Sequence, residues 1–321
     1  MMVLGLQGSP RKKGNTAFLV SEFMRQAESL GAQTCVIEAD KKNIIPCKEY
    51  IVCEKKGFCP IKDDMDDIYC QLREAEVVVM ATPVFFYNTT AQLKALIDRT
   101  QTLWARKYKL NLTDPLRKTR RGFMLAVGAT KGKNLFEGLH LTAKYFFDAV
   151  GASYDGSLTY WKIEHPGDME KHPTVREEVQ DAVKKLLTPL MNRKKILFAC
   201  IGNTCRSQIA AAFAQYLGGD KIESLSGGSR PEEKINPVMV EAMKEKGIDM
   251  AFRHPKSIAS AIEKTKPEMI ITMGCSEECP VVPGAKRENW NLPDPAGRDI
   301  EFMRQVRDEI EQRVSALIKT L

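Results

Sequence analysis

The feature that most constrains this chain is the alternation of short apolar runs with amphipathic segments along its whole length. Runs such as Val77–Ala81 and Ile196–Ala199 are apolar at successive positions, which predicts strands buried on both faces. Strands of that kind form parallel sheets covered by helices. A length of 321 residues, at about 100–200 residues per domain, corresponds to two domains. We therefore predict an α/β fold of two doubly wound parallel-sheet domains, residues 1–191 and 192–321.

Individual elements follow from the same periodicity. The predicted strands are residues 2–6, 34–37, 76–81, 122–127, 196–199, 222–226 and 269–272. The predicted helices are residues 16–30, 175–191, 207–217, 237–246 and a long last helix from residue 300. Ligands of open parallel sheets bind at the carboxyl ends of the strands. The polar loops that follow the strands are therefore the expected positions of a site.

The composition excludes several classes of protein. No stretch of roughly 18 apolar residues is present, so no membrane span is expected. The N-terminal residues lack the charged-then-apolar order of a secretory signal, which predicts a cytoplasmic protein. The net charge of +7 is not gathered into a basic stripe with aromatic residues, so nucleic acid is not an expected partner. Small anionic ligands account for the charge at least as well.

Nine cysteines are present, which is an odd number and a high one for a cytoplasmic chain. This count argues against a structural disulfide framework and favours nucleophilic, redox or metal-binding use of some thiols. Cys35 and Cys70 lie in apolar or amphipathic stretches, where packing alone explains them.

The most specific pattern in the chain is strand, Cys-x5-Arg-Ser, helix over residues 196–217. Cys200 at the base of this loop faces a helix N-terminus, whose dipole and free N–H groups bind a tetrahedral anion and favour a thiolate. Arg206 can clamp two anion oxygens at once. Ser207 can cap the helix and donate to the thiolate, and Asn203 can brace the loop. The residues expected to present backbone N–H groups to the anion are Ile201, Gly202, Asn203, Thr204 and Cys205.

The stretch CIGNTCRSQIAAAF, which starts at Cys200, resembles the active-site loop of the low-molecular-weight protein tyrosine phosphatases and of the arsenate reductases that share their fold. Residues 226–229 and 236–248 resemble the middle section of that family. Residues 271–280 and 290–296 resemble the arsenate reductases in particular. The resemblance covers residues 194–321 and implies the same fold for them.

The resemblance also implies roles for single residues. Asp294 matches the general acid that protonates the leaving oxygen. The phosphatases usually carry tyrosines after this Asp-Pro pair, whereas this chain has Ala296 and Gly297, which favours a reductase. An arsenate reductase needs a second thiol that attacks the cysteine–arsenic adduct, and Cys275 and Cys279 match the relay cysteines of the family. These two are more closely spaced than in the family, so their order in the relay stays open.

These thiols have other interpretations. A structural metal half-site is the alternative for Cys275 and Cys279, but no matching second pair lies nearby in the sequence, so no metal is predicted. Cys205 occurs in the loop of both relatives, and the resemblance implies a protective partner of Cys200.

The loop between the first predicted strand and helix, Gly8–Thr16, carries hydroxyl, amide and N–H groups that can hold a phosphate. It lacks the Gly-x-Gly-x-x-Gly pattern of dinucleotide sites and the Gly-Lys-Ser/Thr pattern of nucleoside triphosphate sites. From the spacing alone, a generic polar turn is the alternative.

This loop resembles the FMN phosphate loop of the flavodoxin-like NAD(P)H-dependent FMN reductases. The resemblance covers about residues 1–190 and implies FMN as cofactor and NAD(P)H as electron donor. Residues 81–88 resemble the loop along the isoalloxazine ring, and residues 128–130 resemble the third flavin loop. The residues implied to bind FMN are Ser9, Arg11, Asn15 and Thr16 at the phosphate, Pro83, Val84, Phe85, Phe86, Tyr87 and Asn88 at the ring, and Gly128.

A further cysteine group, Cys47, Cys53 and Cys59, lies in a segment that resembles one shared by this family and the iron–sulfur flavoproteins. The latter bind a cluster through four cysteines. Tyr50 stands where another ligand is expected, which leaves three thiols, so no iron–sulfur cluster is predicted. Weak zinc binding, or a segment inherited without a ligand, are the alternatives.

Together, the two halves predict an arsenate reductase whose disulfide is re-reduced by NAD(P)H through FMN, since both processes transfer two electrons. A low-molecular-weight phosphatase fused to an FMN reductase, and a thiol redox sensor that binds anions without turnover, stay open. The expected partners are arsenate, with phosphate as competitor, and thioredoxin as the alternative reductant. A homodimer through the flavin domain is also expected, because flavodoxin-like reductases usually pair across their flavin sites.

Overall fold

A computed structural model describes residues 1–274 and 282–321 of the chain. These residues form two compact units, the first of Met1–Asn111 with Thr119–Pro189 and the second of Leu112–Lys118 with Leu190–Leu321. The domain limits taken from the sequence, 1–191 and 192–321, stay a prediction. The described helices include none that is long and apolar enough to cross a lipid bilayer.

The first unit is built on a parallel sheet of five strands. The strands are β1 (Met2–Gln7), β2 (Gln33–Glu38), β3 (Val77–Pro83), β4 (Arg121–Val127) and β5 (Ser153–Tyr160). The helices are α1 (Asn15–Ser29), α2 (Val52–Lys56), α3 (Met65–Glu74), α4 (Ala91–Arg99), α5 (Gln101–Tyr108), α6 (Glu137–Ala149) and α7 (Val175–Met191), with a short 3-10 turn at Ala39–Lys41. The strand order is β2-β1-β3-β4-β5, which is the order of flavodoxin-like sheets.

The central strands β1, β3 and β4 are buried along almost their whole length, as their apolar runs predict. All pairs in the sheet are parallel, so the carboxyl ends of these strands lie at one edge. β1 ends at Gln7, β3 at Pro83 and β4 at Val127. The three predicted flavin loops therefore begin at the same edge of the sheet.

The second unit is built on a parallel sheet of four strands. They are β6 (Lys194–Cys200), β7 (Ile222–Gly228), β8 (Met269–Met273) and β9 (Lys286–Asn289), in the order β7-β6-β8-β9. The helices are α8 (Arg206–Gly218), α9 (Pro237–Glu245), α10 (Ile258–Lys264) and α11 (Ile300–Lys319). The prediction of two parallel-sheet α/β domains is confirmed.

The packing of helix α8 determines where the candidate site lies in this unit. Residues 206–214 are all buried, because the helix packs on β6 and β7 with one side and on α11 with another. The small side chains of Ala210–Ala212 allow this close packing on several faces. The N-terminus of α8 is thereby fixed a few residues after the end of β6.

Two strands of the structure, β5 and β9, are not among the elements that the sequence predicts. β9 has the sequence Lys-Arg-Glu-Asn and lies at the edge of its sheet, where charged residues are common and no apolar run marks the strand. β5 is also an edge strand, and most of its residues are only partly buried. A search for apolar runs misses edge strands, because half or less of the surface of such a strand faces a core.

Candidate functional site

The loop after β6 is held from outside through its carbonyl groups. Carbonyl oxygens of Cys200, Ile201, Gly202 and Thr204 accept hydrogen bonds from the backbone N–H groups of Ser229, Arg230, Glu232 and Asn236, at 3.0, 3.0, 3.1 and 3.2 Å. In a trans peptide the C=O and the following N–H point in opposite directions. The N–H groups of these peptides therefore face the interior of the loop, where several such groups together bind an anion.

Cys200, the last residue of β6, is 3% exposed. Its Sγ lies 2.9 Å from Ser207 Oγ and accepts a hydrogen bond from the backbone N–H of Asn203 at 3.2 Å. These contacts and the N-terminus of α8 place hydrogen-bond donors and the positive end of a helix at the sulfur. Ser207 does not cap α8, so that expectation was wrong: the N-cap position is Cys205, and Ser207 lies inside the first turn.

Asn203 sets the direction of the hydrogen bond to the thiol. Its Nδ2 donates to Ser207 Oγ at 2.7 Å, which leaves the Ser207 proton for Cys200. Its Oδ1 accepts from Gln208 Nε2 at 3.1 Å and from the backbone N–H of Lys256 at 2.8 Å. The φ angle of Asn203 is +53°, a left-handed conformation that asparagine adopts more readily than most residues. Gln208 and Lys256 were missed from the sequence, because no motif marks them.

Arg206 and Asp294 contact each other in the structure. Nη2 of Arg206 forms an ion pair with Asp294 Oδ2 at 2.8 Å, and Nη1 donates to the carbonyl of Leu292 at 3.2 Å. The Arg206 side chain is 6% exposed, whereas that of Asp294 is 52% exposed. Gly274 packs against the guanidinium, since a Cβ at this glycine would lie 2.9 Å from Nη1. An anion in the loop therefore competes with Asp294 for Arg206.

Cys205, the second thiol of the loop, is buried. Burial, followed by the negative charge of Cys200, raises the pKa of the Cys205 thiol to about 11, although a hydrogen bond from Thr204 lowers it. The thiol is protonated at neutral pH and is a poor nucleophile in this arrangement. Its role as a protective partner of Cys200 stays a prediction.

The two predicted relay cysteines, Cys275 and Cys279, lie outside the described residues. Their order, and the attack of either thiol on Cys200, stay predictions. The geometry of the site is therefore given by the loop, the pair of Arg206 with Asp294, and the neighbours of Asn203.

In the first unit, the loop after β1 has the groups expected of a phosphate site. Gly14 is the N-cap of α1 and has no side chain to accept from the first-turn N–H groups, which leaves them available to an anion. Ser9 is buried, and its Oγ accepts from the backbone N–H of Arg11 at 3.2 Å. The Arg11 side chain is exposed. Thr90 Oγ1 donates to the carbonyl of Gly8 at 2.6 Å and fixes the start of the loop.

Asn15 is predicted at the phosphate. In the structure, both polar atoms of its side-chain amide form hydrogen bonds with another segment. Nδ2 donates to the carbonyl of His165 at 2.9 Å, and Oδ1 accepts from the backbone N–H of Met169 at 3.1 Å. Asn15 thus ties the 165–169 turn to the start of α1. Thr16 is buried beside it in the chain. The assignment of both residues as phosphate ligands stays a prediction.

The loop after β3 ends in a tight turn of aromatic residues. Phe85 and Asn88 exchange two backbone hydrogen bonds, of 2.8 and 3.0 Å. Phe86 and Tyr87 between them have φ angles of +48° and +63°. Residues of this size rarely adopt such angles, and strain of this kind concentrates at ligand sites. Phe86 is fully exposed, and its two neighbours are half exposed, so the turn presents aromatic surface to solvent.

Further features of this edge fit a flavin. Thr89 Oγ1 is buried and has no hydrogen-bond partner among the described residues, which is costly unless a polar ligand group meets it. Gly138 lets the turn approach α6, because a Cβ there would lie 2.4 Å from the carbonyl oxygen of Tyr87. Backbone hydrogen bonds join Val84 to Val127 and Gly128 to Tyr160, at 2.9 and 2.8 Å. The residues present thus fit FMN, and Thr89 is an addition to the predicted set that only its burial could reveal.

An ion pair and several hydrogen bonds join the two ends of the cysteine segment 47–59. The side chains of Arg99 and Asp63 are both buried and form an ion pair at 2.6 Å. Arg99 also donates to the carbonyls of Ile45 and Ile61, at 2.7 and 3.3 Å, and Asp63 accepts from the backbone N–H of Ile45 at 2.9 Å. The two ends of the segment are therefore held together by contacts between protein groups.

The donor set of this segment does not fit a four-thiol cluster. Cys47 is exposed, and Cys53 and Cys59 are partly buried. Within residues 1–274 and 282–321, no three Cys, His, Asp or Glu side chains lie close enough to share a metal ion. The absence of a cluster stays a prediction.

A substitution tests that prediction. The wild-type chain is expected to hold little iron, whereas Tyr50→Cys is expected to gain a cluster of about four irons on anaerobic reconstitution, because it completes the four-thiol spacing. Tyr50 is 56% exposed, so the change should cost little stability. Iron and sulfide analysis measures the outcome, with Tyr145→Cys as a control at a similarly exposed tyrosine outside the segment. A full cluster in the wild type would contradict the prediction.

Fold and site together define two classes of domain. The first unit has a flavodoxin-like sheet with a phosphate loop and an aromatic turn at one edge. The second has a thiol, a guanidinium and a carboxylate around an anion loop at the start of a helix, which is the arrangement of a phosphatase-like thiol enzyme.

Comparison with known families agrees with both classes. Residues 1–139 match the family of NADPH-dependent FMN reductases, and residues 195–321 match the family of low molecular weight phosphotyrosine protein phosphatases. The chain belongs to the arsenate reductase family, and its residues 1–139 match the FMN reductase family model. The predicted fusion is confirmed.

Individual relatives match one domain each. Arsenate reductase 2 of Staphylococcus haemolyticus is 35% identical over 130 residues, which are 39% of this chain and 97% of that protein. An iron–sulfur flavoprotein of Methanocaldococcus jannaschii is 40% identical over 103 residues, which are 32% of this chain and 53% of that protein. The match thus spans about half the length of the flavoprotein. A solved thioredoxin-dependent arsenate reductase of Corynebacterium glutamicum is 28% identical, with coverage of 46% of this chain and 76% of that chain and a TM-score of 0.35.

Proposed function

We propose that the chain is an oxidoreductase that reduces arsenate at Cys200 and regenerates its thiols with electrons from NAD(P)H. The observation that carries the proposal is the Cys200 thiol, held by Ser207 and Asn203 inside an anion loop. Relatives named arsenate reductases match this domain over almost their whole length. The absence of tyrosines after Pro295 supports an inorganic substrate over an aryl phosphate.

The proposed reaction balances with two thiols. The Cys200 thiolate attacks arsenic, a sulfur–arsenic bond forms, and one oxygen leaves as water after Asp294 supplies a proton. A second thiol, Cys275 or Cys279, then attacks the Cys200 sulfur, a disulfide forms, and arsenic leaves as arsenite with the electron pair. Arsenate and two thiols thus give arsenite, a disulfide and water. Arg206 and the loop N–H groups hold the oxyanion throughout, and phosphate, with the same shape and charge, competes for them.

The first unit is proposed to supply the electrons that reopen the disulfide. FMN, when bound, takes a hydride from NAD(P)H and provides two electrons for a disulfide. The loop of Ser9 and Arg11 would hold its phosphate, and the turn of Phe85–Asn88 with Thr89 would meet its ring. Thioredoxin is the alternative reductant, and a homodimer through this unit and a cytoplasmic location stay predictions.

Anaerobic turnover tests this function. With NADPH as sole reductant, FMN-loaded protein is expected to convert arsenate to arsenite over many cycles, and protein stripped of FMN is expected to stop after one, because its disulfide stays closed. Arsenite is measured by speciation and NADPH by absorbance. Multiple turnovers without FMN, or none until thioredoxin is added, would contradict the electron route. No arsenite at all would contradict the reductase itself.

A phosphatase is the second candidate, because the matching family model is that of a phosphatase. If the protein is a phosphatase, the Cys275→Ser/Cys279→Ser variant is expected to hydrolyse an aryl phosphate steadily, and the wild type is expected to reduce no arsenate. A redox sensor would instead form a disulfide that NADPH cannot reopen.

A further inference from the structure

The carboxylate of Glu232 lies against the anion loop. The backbone N–H of Glu232 donates to the carbonyl of Gly202 at 3.1 Å. A Cβ on Gly202 would lie 2.9 Å from Glu232 Oε1 and 3.4 Å from its Cδ. The carboxyl group, and not only the backbone, therefore packs on the loop that is built to attract anions.

This carboxylate is not neutralised in the described part of the chain. Glu232 is exposed, and its side chain has no hydrogen bond or ion pair there. Asp294, the other carboxylate at the site, is paired with Arg206 at 2.8 Å. Glu232 thus adds an uncompensated negative charge beside Gly202. This charge opposes the binding of any anion that cannot donate a hydrogen bond to it.

The chemistry of the anion decides whether this charge repels or binds. Inorganic arsenate and phosphate keep at least one hydroxyl at neutral pH, even as dianions, and a hydroxyl can donate to a carboxylate in a strong charge-assisted hydrogen bond. The dianion of a monoester has no hydroxyl left, because its fourth oxygen carries the organic group. The same carboxylate therefore attracts the inorganic oxyanion and repels the ester.

We propose that Glu232 is a specificity-determining residue that selects inorganic oxyanions over their monoesters by accepting a hydrogen bond from the anion's hydroxyl. The proposal rests on the proposed function, since it concerns the substrate class of that anion loop. It assigns the preference for arsenate over phosphoesters to a repulsive element beside the loop as well as to the missing tyrosines.

Equilibrium binding to the reduced full-length protein tests the proposal without requiring turnover. The ligands are inorganic phosphate and phenylphosphonate, a stable ester analogue, in mildly alkaline buffer where the phosphonate has lost both protons. In Glu232→Gln, phenylphosphonate is expected to bind about tenfold more tightly, because the repulsion is gone. Phosphate affinity should fall, because a neutral acceptor replaces a charged one. Calorimetry measures both dissociation constants.

The matched control is Glu233→Gln, which removes the adjacent exposed carboxylate and is expected to leave the ratio of the two affinities unchanged. An unchanged ratio in Glu232→Gln, or an equal shift in both variants, would overturn the proposal. Wild-type protein that binds the anions with the expected ratio but reduces no arsenate would refute the proposed function and leave the selectivity of Glu232 standing. Wild-type protein that binds neither anion would refute both.

Discussion

Replacing Cys200 with serine is expected to abolish arsenate reduction, with a loss of at least about 10⁴-fold in kcat/KM. A serine hydroxyl is not ionised at neutral pH, so Ser207 Oγ and the N–H of Asn203, which lie at 2.9 and 3.2 Å from the sulfur, have no thiolate to stabilise. Serine is close to cysteine in shape, so the loop should keep its N–H groups turned inward and still bind phosphate. Arsenite formation measures the loss, and calorimetry with phosphate measures the retained site.

Cys35→Ser is the control for this variant, because Cys35 is a partly buried free thiol in the first unit and is assigned no chemistry. It is expected to keep full activity. A Cys200→Ser protein that reduces arsenate within tenfold of the wild-type rate would show that the nucleophile lies elsewhere. A variant that loses both activity and phosphate binding, with an altered thermal transition, is resolved by Cys200→Ala, which must show the same loss of chemistry.

Replacing Arg206 with lysine is expected to lower kcat/KM by about 100- to 1,000-fold, the cost of losing a donor to the charge that develops on the oxyanion. Arg206 reaches Leu292 and Asp294 with two different nitrogens from a buried position. A lysine ammonium is a single point of charge and cannot hold two oxygens in the plane that a guanidinium offers. Steady-state kinetics with arsenate, and inhibition by phosphate, measure the effect. We expect kcat/KM for arsenate to fall and inhibition by phosphate to weaken in the same variant.

Arg304→Lys provides the control for charge-conserving replacement. Arg304 also forms a two-nitrogen contact, with Glu245 on the surface of the second unit, and exposed pairs of this kind contribute little to stability. Its activity is expected to equal that of the wild type. Unchanged kinetics in Arg206→Lys would mean that the loop N–H groups bind the anion without help from the guanidinium.

In the proposed mechanism, the pair of Arg206 with Asp294 would connect anion binding to proton delivery. The carboxylate is half exposed and the guanidinium buried, so the carboxylate is the more accessible partner of the pair. An anion that binds Arg206 would replace Asp294 there and leave its carboxyl group close to the site. The proposed acid would thus be held at the site before the substrate arrives.

Much of the fold and part of the site could be predicted because the signals are local. Apolar runs such as Val77–Ala81 mark central strands, since both faces of those strands are buried. The spacing from Cys200 to Arg206 marks the anion loop, since strand, loop and helix follow one another in the chain. The aromatic loop after β3 is identified by its resemblance to a flavin loop, which also rests on residues close in sequence. In each case the residues that act together are close in sequence.

What the sequence by itself determined is therefore the two parallel-sheet domains and the loop of Cys200, because each depends on residues within one strand–loop–helix unit. The flavin loops stay predictions that rest on a resemblance of such units. Only the tertiary structure decided that Asn203 orients Ser207, that Thr89 is buried without a partner, that Leu112–Lys118 lies in the second unit, and that Glu232 packs on Gly202. These features depend on burial and on contacts between segments distant in the chain, for which no periodicity or spacing in the sequence provides a signal. The anion loop was thus predictable as a motif, whereas the groups that orient its thiol and surround its anion became visible only in the fold.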